Sequence, residues 1–120
     1  MTAPTTMSSD EYVIDETKIV FASGACATFA YPVAEALAFD SALVVRLEVP
    51  TGIVFNENVY GLSPSGETLW QVAARAHVNA DSPYVNLARD GNRVVLTNWD
   101  GLELTLDPSN GHILRQRHVR

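Results

Sequence analysis

The chain has 120 residues, of which 47% are hydrophobic, and a formal net charge of −6 at pH 7. A chain of this length forms one domain that buries roughly two thirds of its unfolded surface, and its single cysteine excludes an intramolecular disulfide framework. No apolar run approaches the roughly 18 residues of a membrane span, and the N-terminus lacks the basic and apolar parts of a secretory signal. We therefore expect a cytoplasmic protein with no membrane partner.

The charge is unevenly distributed along the chain. Residues 1–111 carry 14 acidic and 5 basic side chains, whereas residues 112–120 contain three arginines, Arg115, Arg117 and Arg120, and no acid. An acidic body repels a phosphate backbone, so we expect no nucleic-acid partner and instead an attraction to a basic protein surface. We interpret the C-terminal arginines as part of a solvated last strand.

The chain begins with a Thr- and Ser-rich segment, residues 1–10, which predicts a disordered tail, because it contains little apolar surface to offset the entropy cost of ordering. Residues 11–120 are predicted to form a single antiparallel β domain. Its first strands are expected within 10–16 and at 18–21.

Residues 22–40 have the least regular pattern. Pro32 is a suitable first-turn residue for a short helix, and the alanine-rich stretch 33–39 contains no strong helix breaker. A short helix near 32–39 and an irregular crossover between two strands are therefore both open.

From residue 42 the pattern becomes that of strands separated by turns. In 42–49, Leu43, Val45 and Leu47 alternate with Arg46 and Glu48, which predicts a half-buried strand. Further strands are predicted at 58–62, 68–74, 84–88, 93–97, 102–106 and 112–119. The fold class is all-β: an antiparallel meander of about 8–9 short strands, forming blade-like sheets or a small sandwich or barrel, with at most one short helix near 32–39.

Two segments, 62–70 and 106–114, repeat one pattern at an offset of 44 residues. Each has a leucine, a Pro-containing turn that ends in glycine, and a second apolar pair. In the first copy Pro64 suits the second position of a type I turn, and Gly66 supplies a left-handed residue. The offset lies in the range of four-stranded propeller blades, about 40–50 residues.

These segments resemble the repeat of quinoprotein-type (PQQ-like) β-propellers, in which a strand leads into Leu-Asp-Pro-x-x-Gly and then an apolar pair ending in Trp. The first copy departs from this pattern at Ser63 and the second at Leu114. The resemblance implies about two blade-like sheets, and because closed propellers need about four to eight blades, the length excludes a complete quinone-cofactor propeller. We expect no cofactor. The matching residues are Leu62, Pro64, Gly66, Leu69 and Trp70 in the first copy, and Leu106, Asp107, Pro108, Gly111 and Ile113 in the second.

No residue pattern indicates catalysis or metal binding. Cys26 lies among small residues, and the three histidines, His77, His112 and His118, belong to no recognisable nucleophile or zinc motif. We interpret Cys26 as a packed, inert residue and predict no catalytic residue and no metal site.

Surface recognition is the function for which candidate residues remain. Tyr60, Tyr84 and Trp99 stand beside small or polar neighbours, and Asp100 follows Trp99 at a turn. Aromatic side chains beside an acid are frequent at protein interfaces, so we predict these four as binding residues. The alternative is that Tyr60 and Trp70 lie in the core and Trp99 covers a hairpin end.

The sequence thus favours a non-enzymatic interaction domain with an acidic surface, of immunity type or a similar small bacterial accessory protein, that binds a basic protein. One alternative is a self-assembling, propeller-like structural unit whose copies complete a ring. Another is a ligand-binding or enzymatic β-barrel with a pocket lined by Tyr60, Tyr84 and Trp99.

Overall fold

The computed structural model describes residues 12–75 and 80–119, and within them it contains eleven strands and no helix. The predicted all-β antiparallel fold is confirmed. The predicted disordered tail, His77 and Arg120 lie outside the described residues. The strands are β1 (Tyr12–Asp15), β2 (Lys18–Phe21), β3 (Cys26–Thr28), β4 (Val33–Ala38), β5 (Leu43–Leu47), β6 (Val59–Leu62), β7 (Thr68–Gln71), β8 (Tyr84–Asp90), β9 (Arg93–Asn98), β10 (Leu102–Leu106) and β11 (Ile113–His118).

The strands form three antiparallel sheets, each of which follows the order of the chain. Sheet 1 contains β1-β2-β3, sheet 2 contains β4-β5-β6-β7, and sheet 3 contains β8-β9-β10-β11. Every neighbouring pair is antiparallel. All three sheets are therefore simple meanders, built from hairpins between consecutive strands.

Sheet 2 is the middle layer of the molecule and is buried on both faces. In β5, Leu43 and Val45 pack against sheet 1, while Val44, between them, packs against sheet 3. All three side chains are fully buried. The prediction that this strand is half-buried is therefore wrong: its apolar run fills two cores, as in sheets that are covered on both sides.

The segment that the sequence left open, residues 22–40, contains two strands, β3 and β4. The predicted helix near 32–39 is wrong, and so is the irregular crossover. In β4, Ala36 and Ala38 pack towards sheet 1, whereas Leu37 packs towards sheet 3. The two-residue alternation of a strand thus supplies both cores, and this tertiary packing overrides the helix preference of alanine.

The two repeated segments occupy equivalent places in sheets 2 and 3, because each connects the third strand of its sheet to the fourth. In the first turn the Gly66 N–H donates to the Ser63 carbonyl at 2.9 Å, with Pro64 at the second turn position as predicted. In the second turn the Gly111 N–H donates to the Asp107 carbonyl at 2.8 Å. The sequence repeat is therefore also a repeat of position in the fold.

Trp70 joins sheet 2 to the turn of sheet 3. Its indole N–H donates to the Pro108 carbonyl at 2.8 Å. A Cβ atom at Gly61 would overlap the indole Nε1, and one at Gly111 would lie 2.7 Å from the indole Cδ2. The ring is thus held between two glycines, one on its own sheet and one on the next.

Side chains of sheet 2 also satisfy the backbone of β8, the strand of sheet 3 that faces them. The buried Asn58 donates through Nδ2 to the carbonyls of Leu47 and Tyr84, at 2.8 and 2.9 Å, and accepts the Tyr84 N–H at 2.8 Å. The Glu35 carboxylate accepts the Leu87 N–H at 3.2 Å. It also forms an ion pair with Arg46, in which Oε2 lies 2.6 Å from Nε. These bonds fix the spacing between the two sheets.

Candidate protein-interaction groove

Trp99 is the most exposed large apolar side chain of the described residues, with 70% of its surface accessible. It occupies the outer corner of the β9–β10 turn, in which the Gly101 N–H donates to the Asn98 carbonyl at 3.1 Å. The buried Asn98 side chain accepts the Leu102 N–H at 2.8 Å and supports the turn from within. The indole therefore points outward from a turn whose backbone is held by hydrogen bonds.

A groove of about 270 Å³ adjoins the indole, between loops of sheets 2 and 3. One wall is the chain that leaves β5, and the other is formed by the segment leading into β8 and by Trp99 itself. The residues that line the groove are Glu48, Val49, Pro50, Thr51, Asp81, Pro83, Val85 and Trp99.

The walls of the groove are connected by hydrogen bonds. Asn56, in the loop after β5, donates to the Ala80 carbonyl and accepts the Ser82 N–H, both at 2.8 Å. The backbone N–H of Trp99 donates to the Pro83 carbonyl at 3.0 Å. Pro50 and Pro83 restrict the backbone on either side. A groove held in this way needs little ordering when a ligand binds.

The groove combines apolar surface with negative charge. Val85 is 42% exposed and, with Pro50, Pro83 and the indole, provides the apolar part. Glu48 and Asp81 provide two carboxylates, and no lysine or arginine is among the described residues that line the groove. This combination fits an apolar side chain that has a positive charge next to it.

The other predicted binding residues lie elsewhere. Tyr84 is only 2% exposed and belongs to the core between sheets 2 and 3. Tyr60 packs on the opposite side of sheet 2, with its ring 5.2 Å from that of Phe29. Asp100 follows Trp99 in the chain but is 6% exposed. The pocket that the barrel alternative requires, lined by the two tyrosines and Trp99, is therefore not formed by these side chains.

Burial sets the ionisation of the two tyrosines. It raises the pKa of Tyr84 to about 12, with Arg75 opposing and Glu57 adding to the rise. Burial is also the main cause that raises the pKa of Tyr60, with a further contribution from Glu57. Both pKa values lie above the ordinary 10.0, so both tyrosines stay neutral in the physiological range. Among residues 12–75 and 80–119, the buried Tyr84 hydroxyl has no hydrogen-bond partner.

A second depression, of about 340 Å³, lies among the turns β4–β5, β8–β9 and β10–β11. Its Arg89 stacks 4.2 Å from the centre of the Phe39 ring and donates to the Ala38 carbonyl. Its Asp107 accepts the hydroxyl and the N–H of Ser109, which lowers the pKa of that carboxyl. Arg89 and Asp107 both bond within the protein, which leaves Asp40 as the other charged side chain that lines this depression.

The residues considered for catalysis and metal binding are not brought together. Cys26 is exposed on sheet 1, so its interpretation as a packed residue is wrong. His112 lies in the last turn of sheet 3, and His118 lies at the end of β11. Over residues 12–75 and 80–119, no group of three His, Cys, Asp or Glu side chains could hold a metal ion. In the same part of the chain there is no helix with the length and apolarity needed to cross a membrane.

The sequence indicated Trp99 but missed the rest of the groove. Pro50, Pro83 and Val85 belong to separate segments, and their proximity depends on how sheet 2 stacks on sheet 3. The only local signal was the placement of both prolines beside predicted strands, which is typical of ordinary strand ends as well.

The fold and the groove define a class: a small all-β domain of three stacked meander sheets with an exposed aromatic at the junction of two of them. The chain belongs to the family described as Domain of unknown function (DUF7957), whose match covers residues 3–118. No curated protein matches the sequence.

Proposed function

We propose that this protein is a non-enzymatic interaction domain that binds a partner protein through the groove beside Trp99. The observation that carries the proposal is the 70% exposure of that indole next to an apolar, acid-rimmed groove. An exposed apolar patch that is rimmed by polar residues is typical of a binding site, and tryptophan is enriched among the residues that dominate binding energy.

The occupant we propose is an extended segment of a basic protein, with a bulky apolar residue beside a lysine or arginine. The apolar residue would pack on the indole and Val85, and the cation would lie near Glu48 and Asp81. The net charge of −6 favours the same kind of partner, because it increases the rate of encounter with a basic surface.

The test is affinity capture from the native host with the wild-type chain and Trp99→Ala, read by quantitative mass spectrometry. Leu69→Ala is the matched control, because Leu69 is also an exposed apolar residue, at 47%, but lies on β7 away from the groove. We expect one protein to be lost from Trp99→Ala and kept by Leu69→Ala. With that protein purified, Trp99→Ala should raise Kd about thirtyfold or more.

Charge gives a second, independent readout on the purified pair. Glu48→Lys with Asp81→Lys should weaken binding at low salt more than at high salt, because exposed charges are screened. Asp90→Lys, at an exposed acid that ends β8, is the control and should leave Kd nearly unchanged. Equal capture of every protein by wild type and Trp99→Ala would show that the groove is not the binding site.

A further inference from the structure

The wall of the Trp99 groove that leads into β8 has its backbone donors already in use. The N–H of Ser82 donates to the side chain of Asn56 and that of Tyr84 donates to the side chain of Asn58, both at 2.8 Å. Pro83, between them, has no N–H. A peptide that adds to an edge as a further strand needs donors at every second residue of that edge. This wall does not offer such a series.

The opposite wall, which follows β5, is also unsuited to strand addition. The Glu48 N–H donates to the Pro32 carbonyl at 2.7 Å, and Pro50 has no N–H. The Pro50 carbonyl accepts the Ile53 N–H at 3.1 Å, so the chain turns at this point and does not continue as an extended edge. A ligand in the groove therefore contacts side chains and turns more than a backbone ladder.

Carbonyl groups around the groove are occupied as well. The Ala80 carbonyl accepts the Asn56 side chain at 2.8 Å, and the Pro83 carbonyl accepts the backbone N–H of Trp99 at 3.0 Å. A ligand N–H that is buried against these walls therefore finds few free acceptors, and a buried N–H without an acceptor is unfavourable. Proline avoids this cost, because it has no N–H to bury.

The Trp99 side chain offers what the groove backbone lacks. The indole of Trp70 donates to the Pro108 carbonyl, whereas the Trp99 indole N–H has no acceptor among residues 12–75 and 80–119 and its ring is 70% exposed. A polyproline II segment has no internal hydrogen bonds, and its carbonyls face outward. Such a segment can pack an apolar side chain on the indole while one of its carbonyls accepts the indole N–H.

We propose that the segment bound beside Trp99 takes the polyproline II conformation, with a proline next to its bulky apolar residue. This inference rests on the proposed function and specifies the conformation and composition of the bound segment. Because polyproline II has three residues per turn, the apolar residue and its neighbouring proline can lie on the indole and Val85 while the third residue faces solvent. A lysine or arginine at the end of the proline stretch lies near Glu48 and Asp81. Aromatic-lined grooves bind proline-rich segments in this way, since the free peptide is already ordered.

The test uses a synthetic peptide of two lysines followed by repeats of Leu-Pro-Pro, titrated into the isotope-labelled full-length chain while the indole N–H resonances are followed by NMR. We expect the Trp99 resonance to shift and that of Trp70, which is bonded inside the protein, to stay in place. A peptide with threonine for each proline favours strands and should bind at least about tenfold more weakly. Glu48→Lys with Asp81→Lys should weaken binding of the proline peptide, whereas Asp90→Lys should not.

The protein captured through Trp99 gives a second readout. Its segment that contacts the groove should contain proline, and replacing that proline with alanine should raise Kd about tenfold. A contact segment without proline, equal binding of the threonine peptide, or no shift of the Trp99 resonance with the proline peptide would each overturn this inference. The first two results would leave the proposed function standing, whereas a capture experiment in which no protein depends on Trp99 would overturn both.

Discussion

At the scale of single residues, the fit between sheets 2 and 3 depends on one indole and the glycines on either side of it. The indole N–H of Trp70, its only polar side-chain group, donates to the Pro108 carbonyl. The ring occupies the space that a side chain at Gly61 or Gly111 would need. Buried tryptophans generally need such a partner for the N–H. Here that partner is supplied by the turn of the neighbouring sheet.

Gly111→Ala tests this contact, with Gly91→Ala as its matched control. Both glycines have positive φ, 74° and 62°, but only Gly111 is against Trp70, and nothing lies within 4 Å of a Cβ at Gly91. Gly91→Ala should lower the free energy of unfolding by about 1 kcal/mol through backbone strain. Gly111→Ala should lower it by about 1–3 kcal/mol more through overpacking. Urea denaturation measures both, and equal losses would contradict the role of Trp70.

Tyr84 couples stability to alkaline pH. Its pKa is about 12 in the folded protein, against an ordinary value of 10.0. Below pH 10 both states keep the phenol proton. Between about pH 10 and 12 the unfolded chain releases it while the folded protein retains it, so the free energy of unfolding falls as pH rises. The sign follows from burial, which disfavours the phenolate.

Tyr84→Phe tests that coupling and the unpartnered hydroxyl together. It keeps the packed ring and removes a buried hydroxyl that has no hydrogen-bond partner in the described part of the chain, so the variant should be about 1 kcal/mol more stable at pH 7. Its stability should also fall less steeply than that of the wild type between pH 10 and 12. Urea titrations across this range measure the slope, and identical slopes would show that Tyr84 is not responsible.

At the scale of elements, β8 is the strand through which sheet 2 holds sheet 3. It is an edge strand, and two of its N–H groups, those of Tyr84 and Leu87, are satisfied by side chains of sheet 2. An edge strand with unsatisfied N–H groups is open to pairing with other chains. Asn58 and Glu35 therefore link the sheets and protect this edge.

Asn58→Ala should remove about 3 kcal/mol from the free energy of unfolding, because it takes the acceptor from the buried Tyr84 N–H and a donor from the carbonyls of Leu47 and Tyr84. The Tyr84 amide should also exchange with solvent faster, as seen by hydrogen exchange. Asn86→Ala is the control, since Asn86 lies exposed on the same strand. A loss below about 1 kcal/mol, similar to that control, would contradict the role of Asn58.

The elements that sequence reasoning found are those whose pattern is local. Strands β2 and β10 have the predicted bounds, since apolar runs and glycine turns mark their ends. Strands β3 and β4 were missed, because their alanines are small enough for either a helix or a strand. Only packing between two other sheets selects the strand, and that contact is not visible in local sequence.

At the scale of the whole molecule, the stacking of three sheets creates two hydrophobic cores and a groove that no single sheet contains. The core residues of sheet 2 serve two neighbours at once, and the loops of sheets 2 and 3 form the groove beside Trp99 where they meet. The exposed indole could be suggested from its turn position. The remainder of the groove could not, because Pro50 and Val85 are 35 positions apart in the chain.

The most direct test of the proposed interaction is photo-crosslinking in the native host, with a benzophenone amino acid placed at position 85 on the groove or at position 69 on β7. Val85 and Leu69 are similarly exposed, at 42% and 47%, so the two probes should be equally accessible to solvent. The account predicts a covalent adduct with one other protein from position 85 that is absent from position 69 and is lost when Trp99→Ala is added. The same adducts from both positions, or none from position 85, would contradict it.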